Sequence, residues 1–262
     1  MRAHRLQVDD IVLRLRAAGC VFAEEEAALL LEAADSPALL DAMLARRVSG
    51  VPLEHVLGWA EFGGLRVRVG AGVFVPRHRT EFLAHRAIEL AAGLKHPVVL
   101  DLCCGSGALA AVVSAARPEA EVYAADVDEA AVSSARLNLP HARAVLCGDL
   151  FAPLPATLRG RVDVLLCNTP YVPTGAIALM PQEARLHEAL GALDGGADGL
   201  DVQRRVATDA MAWLAVGGHL LVEAGEAQAS TSVRLFEDHG LAARSEFSKE
   251  HDGTIVIATR LE

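Results

Sequence analysis

Val98-Val-Leu-Asp-Leu-Cys-Cys-Gly-Ser-Gly107 decides the fold. It opens as an unbroken apolar run, the pattern of a strand buried on both faces of a parallel sheet. It closes on Gly105 and Gly107, and Ala108-Leu-Ala-Ala-Val-Val-Ser-Ala-Ala-Arg117 follows at once with helix-like character. Strand, glycine turn and helix make the first unit of a nucleotide-binding α/β fold. Glycine permits a tight turn and lets a ligand approach the backbone, and the free N–H groups of a helix start favour an anion.

The rest of the chain alternates around this unit. Strands are expected at Val98–Leu102, Glu121–Ala125, Ala144–Cys147, Val162–Cys167 and His219–Ala224, with helices at about 108–116, 128–138, 201–214 and 227–238. Such alternation argues for a right-handed, doubly wound parallel sheet. Leu241–Phe247 and Thr254–Thr259 are separated only by Lys249-Glu-His-Asp-Gly253, too short for a helical crossover, so they should pair antiparallel. The expected fold is therefore α/β: a seven-stranded, Rossmann-like sheet with an antiparallel last strand.

The segment ahead of the sheet reads differently. Leu6, Ile11, Val12 and Leu15 fall near helical spacing, with Gly19 as a stop. Glu24–Ala34 is a second helix with Ala27, Leu30, Leu31 and Ala34 on one side. Ser36-Pro37 opens a third with a cap and then proline, and its apolar members are Leu39, Leu40, Met43 and Leu44. A small helical module of this kind either only packs or grips a macromolecular substrate. Leu65-Arg-Val-Arg-Val69 alternates as a half-exposed strand and is expected to form a hairpin with the stretch near Phe74-Val75. Thr80-Glu81 reads as the cap of a helix running to about Ala92. The expected divisions are a helical unit over 1–49, a hairpin linker over 50–79 and the α/β domain over 80–262.

Composition narrows the function. At 52% apolar the chain can bury a sizeable core, and its net charge of −10 argues mildly against broad binding to nucleic-acid phosphates. No apolar run reaches membrane-spanning length, and Met1-Arg-Ala-His-Arg-Leu-Gln-Val-Asp-Asp10 lacks the apolar core of a signal peptide, so a cytoplasmic protein is expected. Five cysteines in that setting do not suggest disulfides, and adjacent Cys103-Cys104 does not match zinc spacing, so no metal is expected. Cys147 and Cys167, at strand ends, read as core residues.

Ligands of such sheets bind beyond the carboxyl ends of the strands, at the switch in strand order. The Cys103, Cys104, Gly105, Ser106, Gly107 loop lies there. Gly105-x-Gly107-x-x-Ala110 also satisfies the loose dinucleotide fingerprint, but Asp101 tilts the reading from a nicotinamide towards S-adenosyl-L-methionine, whose amino group and sulfonium favour a nearby acid. Asp126, about twenty residues past the glycines, suits a ribose hydroxyl, and Asp128 is better placed to cap the next helix. In Gly148-Asp149-Leu150-Phe151 the Asp149 carboxylate suits an adenine amino group, with Leu150 or Phe151 over the ring. Asn168-Thr-Pro-Tyr171 is the most specific signal. The Asn168 side-chain oxygen and the carbonyl of Thr169 would both accept from a planar NH2 group, and Tyr171 would pack on its plane. Such a site works by positioning. No strong base is needed before attack, because the donor is cationic and leaves as a neutral thioether.

At these residues the chain resembles the protein-glutamine methyltransferases that modify peptide-chain release factors. Leu100-Asp-Leu-Cys-Cys-Gly-Ser-Gly107 and Asn168-Thr-Pro-Tyr171 carry the resemblance. It extends to Gly50-Val-Pro-Leu-Glu-His-Val-Leu-Gly58, Glu61-Phe62, Val75-Pro-Arg-His-Arg-Thr-Glu81, Glu183-Ala-Arg-Leu-His-Glu188, Ala192-Leu193 and Gly195-Gly-x-x-Gly-Leu200, and so covers about residue 24 to the end. The resemblance implies S-adenosyl-L-methionine on Cys103–Gly107, Asp126, Leu150 and Asn168. It implies the substrate glutamine amide on Asn168, Thr169, Pro170 and Tyr171, with Arg77, Thr80 and Glu81 bordering the site. The chain departs from the family pattern in three places. Thr169 stands where the motif Asn-Pro-Pro-Tyr has its first proline, His78-Arg79 replaces a Pro-Asp pair, and the helical module is shorter by about one helix. Pro170 still holds Thr169 extended.

The expected protein is a monomer acting on a release factor, with no membrane partner. The other readings are the same chemistry on a different amide or amine (a small molecule, another protein or an adenine), a cofactor-binding module without transfer, and an NAD-dependent reductase.

Overall fold

A computed structural model describes the backbone of residues 2–262 and side chains from Val8 onward. Leu6, expected on the apolar stripe of the first helix, lies outside the described side chains. Helices α1 (Arg2–Ala17), α2 (Ala23–Ala33) and α3 (Pro37–Val48) lead, followed by the short α4 (Leu53–Leu57). The hydroxyl of Ser36 accepts from Leu39 N at 3.3 Å and Pro37 sits at the first helical position, so α3 starts as its sequence dictates. Ile11, Leu15, Ala27, Leu30, Leu40, Met43 and Leu44 close one apolar core among these helices, which Leu39 misses by facing solvent.

Strands β1 (Trp59–Phe62) and β2 (Leu65–Arg68) form an antiparallel hairpin. Its composition corrects the expectation for Leu65–Val69, whose partner is not Phe74-Val75. Gly63 and Gly64, with φ of 54° and 76°, supply the two positive-φ positions of a tight hairpin turn, and these pair β2 with the segment just before it. Val73 and Val75 are instead buried loop residues packed with Ala60, Val69 and Ala131. Thr80 precedes α5 (Glu81–Ala91) without capping it through its side chain, whose hydroxyl is committed elsewhere.

The sheet domain then runs β3 (Val98–Leu102), α6 (Ala108–Ala116), β4 (Glu121–Asp126), α7 (Glu129–Asn138), β5 (Ala144–Cys147), β6 (Val162–Cys167), α8 (Gln182–His187), α9 (Asp201–Trp213), β7 (Leu214–Glu223), α10 (Glu226–Asp238), β8 (Ala242–Ser248) and β9 (Gly253–Thr259). Its seven strands lie in the order β5-β4-β3-β6-β7-β9-β8. β9 pairs antiparallel with both β7 and β8, and every other pair is parallel. β7 begins earlier than expected, because Gly217-Gly218 is absorbed inside it where the β6–β7 register shifts. A Cβ on Gly218 would sit 2.6 Å from the Val162 carbonyl, so glycine is required there.

Each face of the sheet buries its own cluster. Leu83, Ala87, Val99, Val113 and Ile257 fill one face, and Leu100, Leu165, Leu220, Trp213 and Phe236 the other. Cys167 is fully buried, but Cys147 is exposed, because it ends the edge strand β5 and has no neighbour on its outer side. Strand order reverses between β3 and β6, where Leu102 lies opposite Cys167. The loops that begin at Cys103 and Asn168 therefore leave the sheet side by side. Among the described residues no helix is long and apolar enough to cross a membrane.

Candidate active site

A cavity of about 290 Å³ opens above those two loops. On one side the chain turns through Cys103, Gly105 and Gly107 with φ of 53°, 53° and 74°. Open space surrounds the position where a Cβ on Gly105 would stand, whereas one on Gly107 would meet Leu139 and Ala135 at 3.0 and 3.1 Å. The first glycine leaves room for a ligand and the second lets α6 start against α7. Cys103, Cys104, Gly105 and Ser106 line the cavity, and Gly107 does not.

Asp126 lines the cavity and clamps this loop. Its Oδ2 accepts from Gly105 N at 2.8 Å and its Oδ1 from Asp128 N at 2.9 Å. Burial raises its pKa, against the lowering effect of those backbone N–H groups. Asp128 caps α7 by accepting from Ala130 N, as its position suggests.

Asp101 is wholly buried beneath the loop and does not face the cavity. One carboxyl oxygen accepts from Ala110 N at 3.2 Å and the other has no partner. Burial pushes its pKa up to about 7, the Ala110 N–H pulling it down and Asp126 adding to the rise. Of the pair Leu150 and Phe151, Leu150 lines the cavity, held at φ 45°. Phe151 is buried against Trp213, with ring centroids 5.5 Å apart, so it cannot cover a ligand. Asp149 also lines the cavity, where its carboxylate accepts from Arg205 Nη2.

Asn168, Thr169, Pro170 and Tyr171 form the opposite wall. Asn168 Oδ1 and Thr169 Oγ1 are buried without a hydrogen-bond partner, a costly arrangement unless the site supplies one in use. Tyr171 donates its hydroxyl to Glu223 Oε1 at 2.7 Å. Arg77 also lines the cavity, with its guanidinium donating to both oxygens of buried Glu188 at 2.6 and 2.7 Å and lying 4.8 Å over the Phe74 ring. Its charge is neutralised in place, which ties the linker to the segment after the Asn168–Tyr171 loop. Glu81, which was expected to border the site, instead accepts from Gly63 N at the hairpin turn.

The glycines of Gly195-Gly-x-x-Gly199 explain themselves here. A Cβ on Gly195 would lie 2.7 Å from the Pro170 carbonyl, and one on Gly199 2.2 Å from that of Tyr171. The motif is a floor for the Asn168–Tyr171 loop. Gln228 braces it by donating to the carbonyls of Tyr171 at 3.0 Å and Asp198 at 2.8 Å. Sequence reading missed Glu223, Arg79 and Gln228 as members of the site. Glu223 ends an apolar strand at its carboxyl side, as Asp126 does, and the same rule finds it. Gln228 offers no such signal. Among the described residues no cluster of His, Cys, Asp or Glu is placed to hold a metal ion.

Residues 71–198 match the family model described as "Methyltransferase small domain". The release factor glutamine methyltransferase of Gloeobacter violaceus is 39% identical over 75% of this chain and 70% of its own length. That of Mycolicibacterium smegmatis is 37% identical over 86% of this chain and 80% of its own. The chain belongs to the release factor glutamine methyltransferase family. Among solved structures, the hMettl16 catalytic domain in complex with a MAT2A 3′UTR hairpin superposes with a TM-score of 0.59 at 14% identity, over 84% of this chain and 82% of that one. At that identity the likeness concerns the fold alone. The matches to these relatives cover more of the chain than the family model does.

Proposed function

We propose that the protein transfers a methyl group from S-adenosyl-L-methionine to the side-chain amide of the glutamine in the Gly-Gly-Gln loop of a peptide-chain release factor. The observation that carries this reading is the unpartnered oxygen of Asn168, beside an open glycine turn, in a member of this family. The residues present fit the methyl donor: Cys103–Ser106 offer a backbone cradle, Asp126 a carboxylate with spare lone pairs, and Leu150 and Asp149 a place for the adenine ring and its amino group. When bound, that donor supplies an electrophilic methyl on a cationic sulfur.

The chain's own groups act on the acceptor. Asn168 Oδ1 and the Thr169 carbonyl accept from the amide N–H bonds, which fixes the nitrogen and orients its lone pair. Tyr171 covers the amide plane and Pro170 stiffens the turn. Replacement of the family's first proline by Thr169 leaves the accepting carbonyl in place. Holding a weak nucleophile in line in this way supplies the rate enhancement; as the nitrogen–carbon bond forms and the methyl–sulfur bond breaks, the nitrogen gives up one N–H proton to solvent during or after transfer, so no strong base is needed before attack. Residues 1–49 and the linker 50–79 are read as the units that hold the acceptor protein over the mouth.

The test is transfer of labelled methyl to a purified release factor, with a Gln→Ala version of its Gly-Gly-Gln loop as control. Label is expected on the unmodified factor alone, and Asn168→Ala is expected to lower the rate by about a hundredfold or more, with a far smaller loss of cofactor affinity. Binding of the cofactor without label on the factor would place the acceptor elsewhere.

A further inference from the structure

Side chains from three separated segments meet at the Tyr171 hydroxyl. Glu223, only 2% exposed, accepts from Tyr171 at 2.7 Å and from Arg79 Nε at 2.9 Å on Oε1, and from the Thr80 hydroxyl on Oε2. Arg79 also donates to the phenol oxygen, from Nη2 at 2.8 Å and Nε at 3.1 Å. Behind Glu223, its backbone carbonyl accepts from Gln203 Nε2 at 3.3 Å, and Gln203 accepts from the Ser232 hydroxyl at 2.7 Å. The Glu223 backbone is thus anchored through α9 and α10, and its carboxylate is shared among donors from the linker and the loop.

A phenol has one proton to donate and two lone pairs to accept with. In this structure Glu223 takes the proton and Arg79 donates to the oxygen. The hydroxyl is therefore committed to the protein, and what Tyr171 presents to the cavity is its ring. We propose that Glu223 is the positioning residue for Tyr171, with Arg79 as its second holder, so that the ring stands rigidly over the acceptor amide. This rests on the proposed role of Tyr171 as the cover of that amide. Arg79 stands where the family pattern quoted above has aspartate. Burial and the neighbouring Glu223 both raise the pKa of the phenol, Arg79 acting against them, which keeps it the neutral donor the geometry shows.

The experiment is a double-mutant cycle on kcat with Glu223→Gln and Tyr171→Phe, with unfolding midpoints recorded for every variant. Glu223→Gln keeps the shape and removes the charge that makes the hydrogen bond strong, so kcat should fall about tenfold with the cofactor dissociation constant unchanged. In the Tyr171→Phe background the same substitution should change kcat by less than about twofold. A full tenfold loss on both backgrounds, or none on either, overturns the proposal. If Glu223→Gln fails to fold, Arg79→Gln at the more exposed end of the brace enters the same cycle with the same expectation. If the wild type labels no release factor, the acceptor reading has failed, and the brace is judged separately by ultraviolet titration. The chain has two tyrosines, so Tyr123→Phe leaves Tyr171 as the sole phenol. Adding Glu223→Gln should then lower its ionisation midpoint, and an unmoved midpoint overturns the proposal.

Discussion

Asp101 shows how far a residue's environment can depart from its ordinary chemistry. It is a carboxyl without access to solvent, with one hydrogen bond from Ala110 N and an unpartnered oxygen. Its folded pKa of about 7 lies well above the ordinary 3.8. Between those values the folded chain keeps a proton that the unfolded chain has released, so stability falls as pH rises from about 4 to 7 and levels off above. Asparagine preserves the acceptor for Ala110 N and cannot ionise. Asp101→Asn should therefore flatten the stability curve across that window and leave the variant the more stable protein at pH 8. Urea unfolding at a series of pH values decides it, and parallel curves for the two proteins would show that Asp101 does not carry this proton. Asp101 is legible as an acid near the ligand loop, but its position beneath the loop is not. The residue pattern places it at a strand end, and the side to which the strand points is set by the sheet.

Elements built on local rules were readable, and elements built on contact between distant loops were not. β3 and β6 coincide with their expected bounds, because a strand buried on both faces writes its extent as an apolar run, and the half-buried edge strand β5 matches its bounds as well. The hairpin partner of β2 is not legible in the sequence, because Gly58, Gly63, Gly64, Gly70 and Gly72 all punctuate the linker and only backbone geometry selects the turn. Gly195-Gly-x-x-Gly199 is visible as a motif, yet its reason lies in the carbonyls of Pro170 and Tyr171, which no local pattern encodes. That reason predicts a separation of effects. Gly199 has a φ of 82° and its Cβ position is 2.2 Å from the Tyr171 carbonyl, so Gly199→Ala must move backbone rather than a pliable side chain. Methyl transfer should drop at least about tenfold from misplacement of the loop, while the Cys103–Ser106 side keeps its affinity for the cofactor. Equal loss of binding and transfer would mean that the floor supports the whole cavity.

At the scale of the whole molecule, the helical segment is joined to the sheet domain through a buried charge. Arg47, near the end of α3, donates to Glu26 of α2 at 2.6 and 3.1 Å, to the Val51 carbonyl at 3.3 Å and to Glu183 of α8 at 2.7 Å. The Arg47 and Glu26 side chains are 8% and 12% exposed, whereas Glu183 is 44% exposed. The consequences of breaking the network are therefore unequal. Arg47→Met leaves Glu26 buried without a counter-charge and should cost about 3 kcal/mol or more. Glu183, in contact with water, loses a pair worth under about 1 kcal/mol. Removing both buried charges with Glu26→Leu and Arg47→Met replaces the pair by apolar surface among Ala23, Ala27, Leu40 and Leu44, and should recover most of the loss. Denaturant unfolding of the single and double variants gives the two numbers. A double variant as unstable as Arg47→Met alone would show that the bonds to Val51 and Glu183, rather than the Glu26 charge, hold α3 against the sheet domain. In that case the helices are fixed to the sheet domain by the linkage to α8, the element that follows the Asn168–Tyr171 loop.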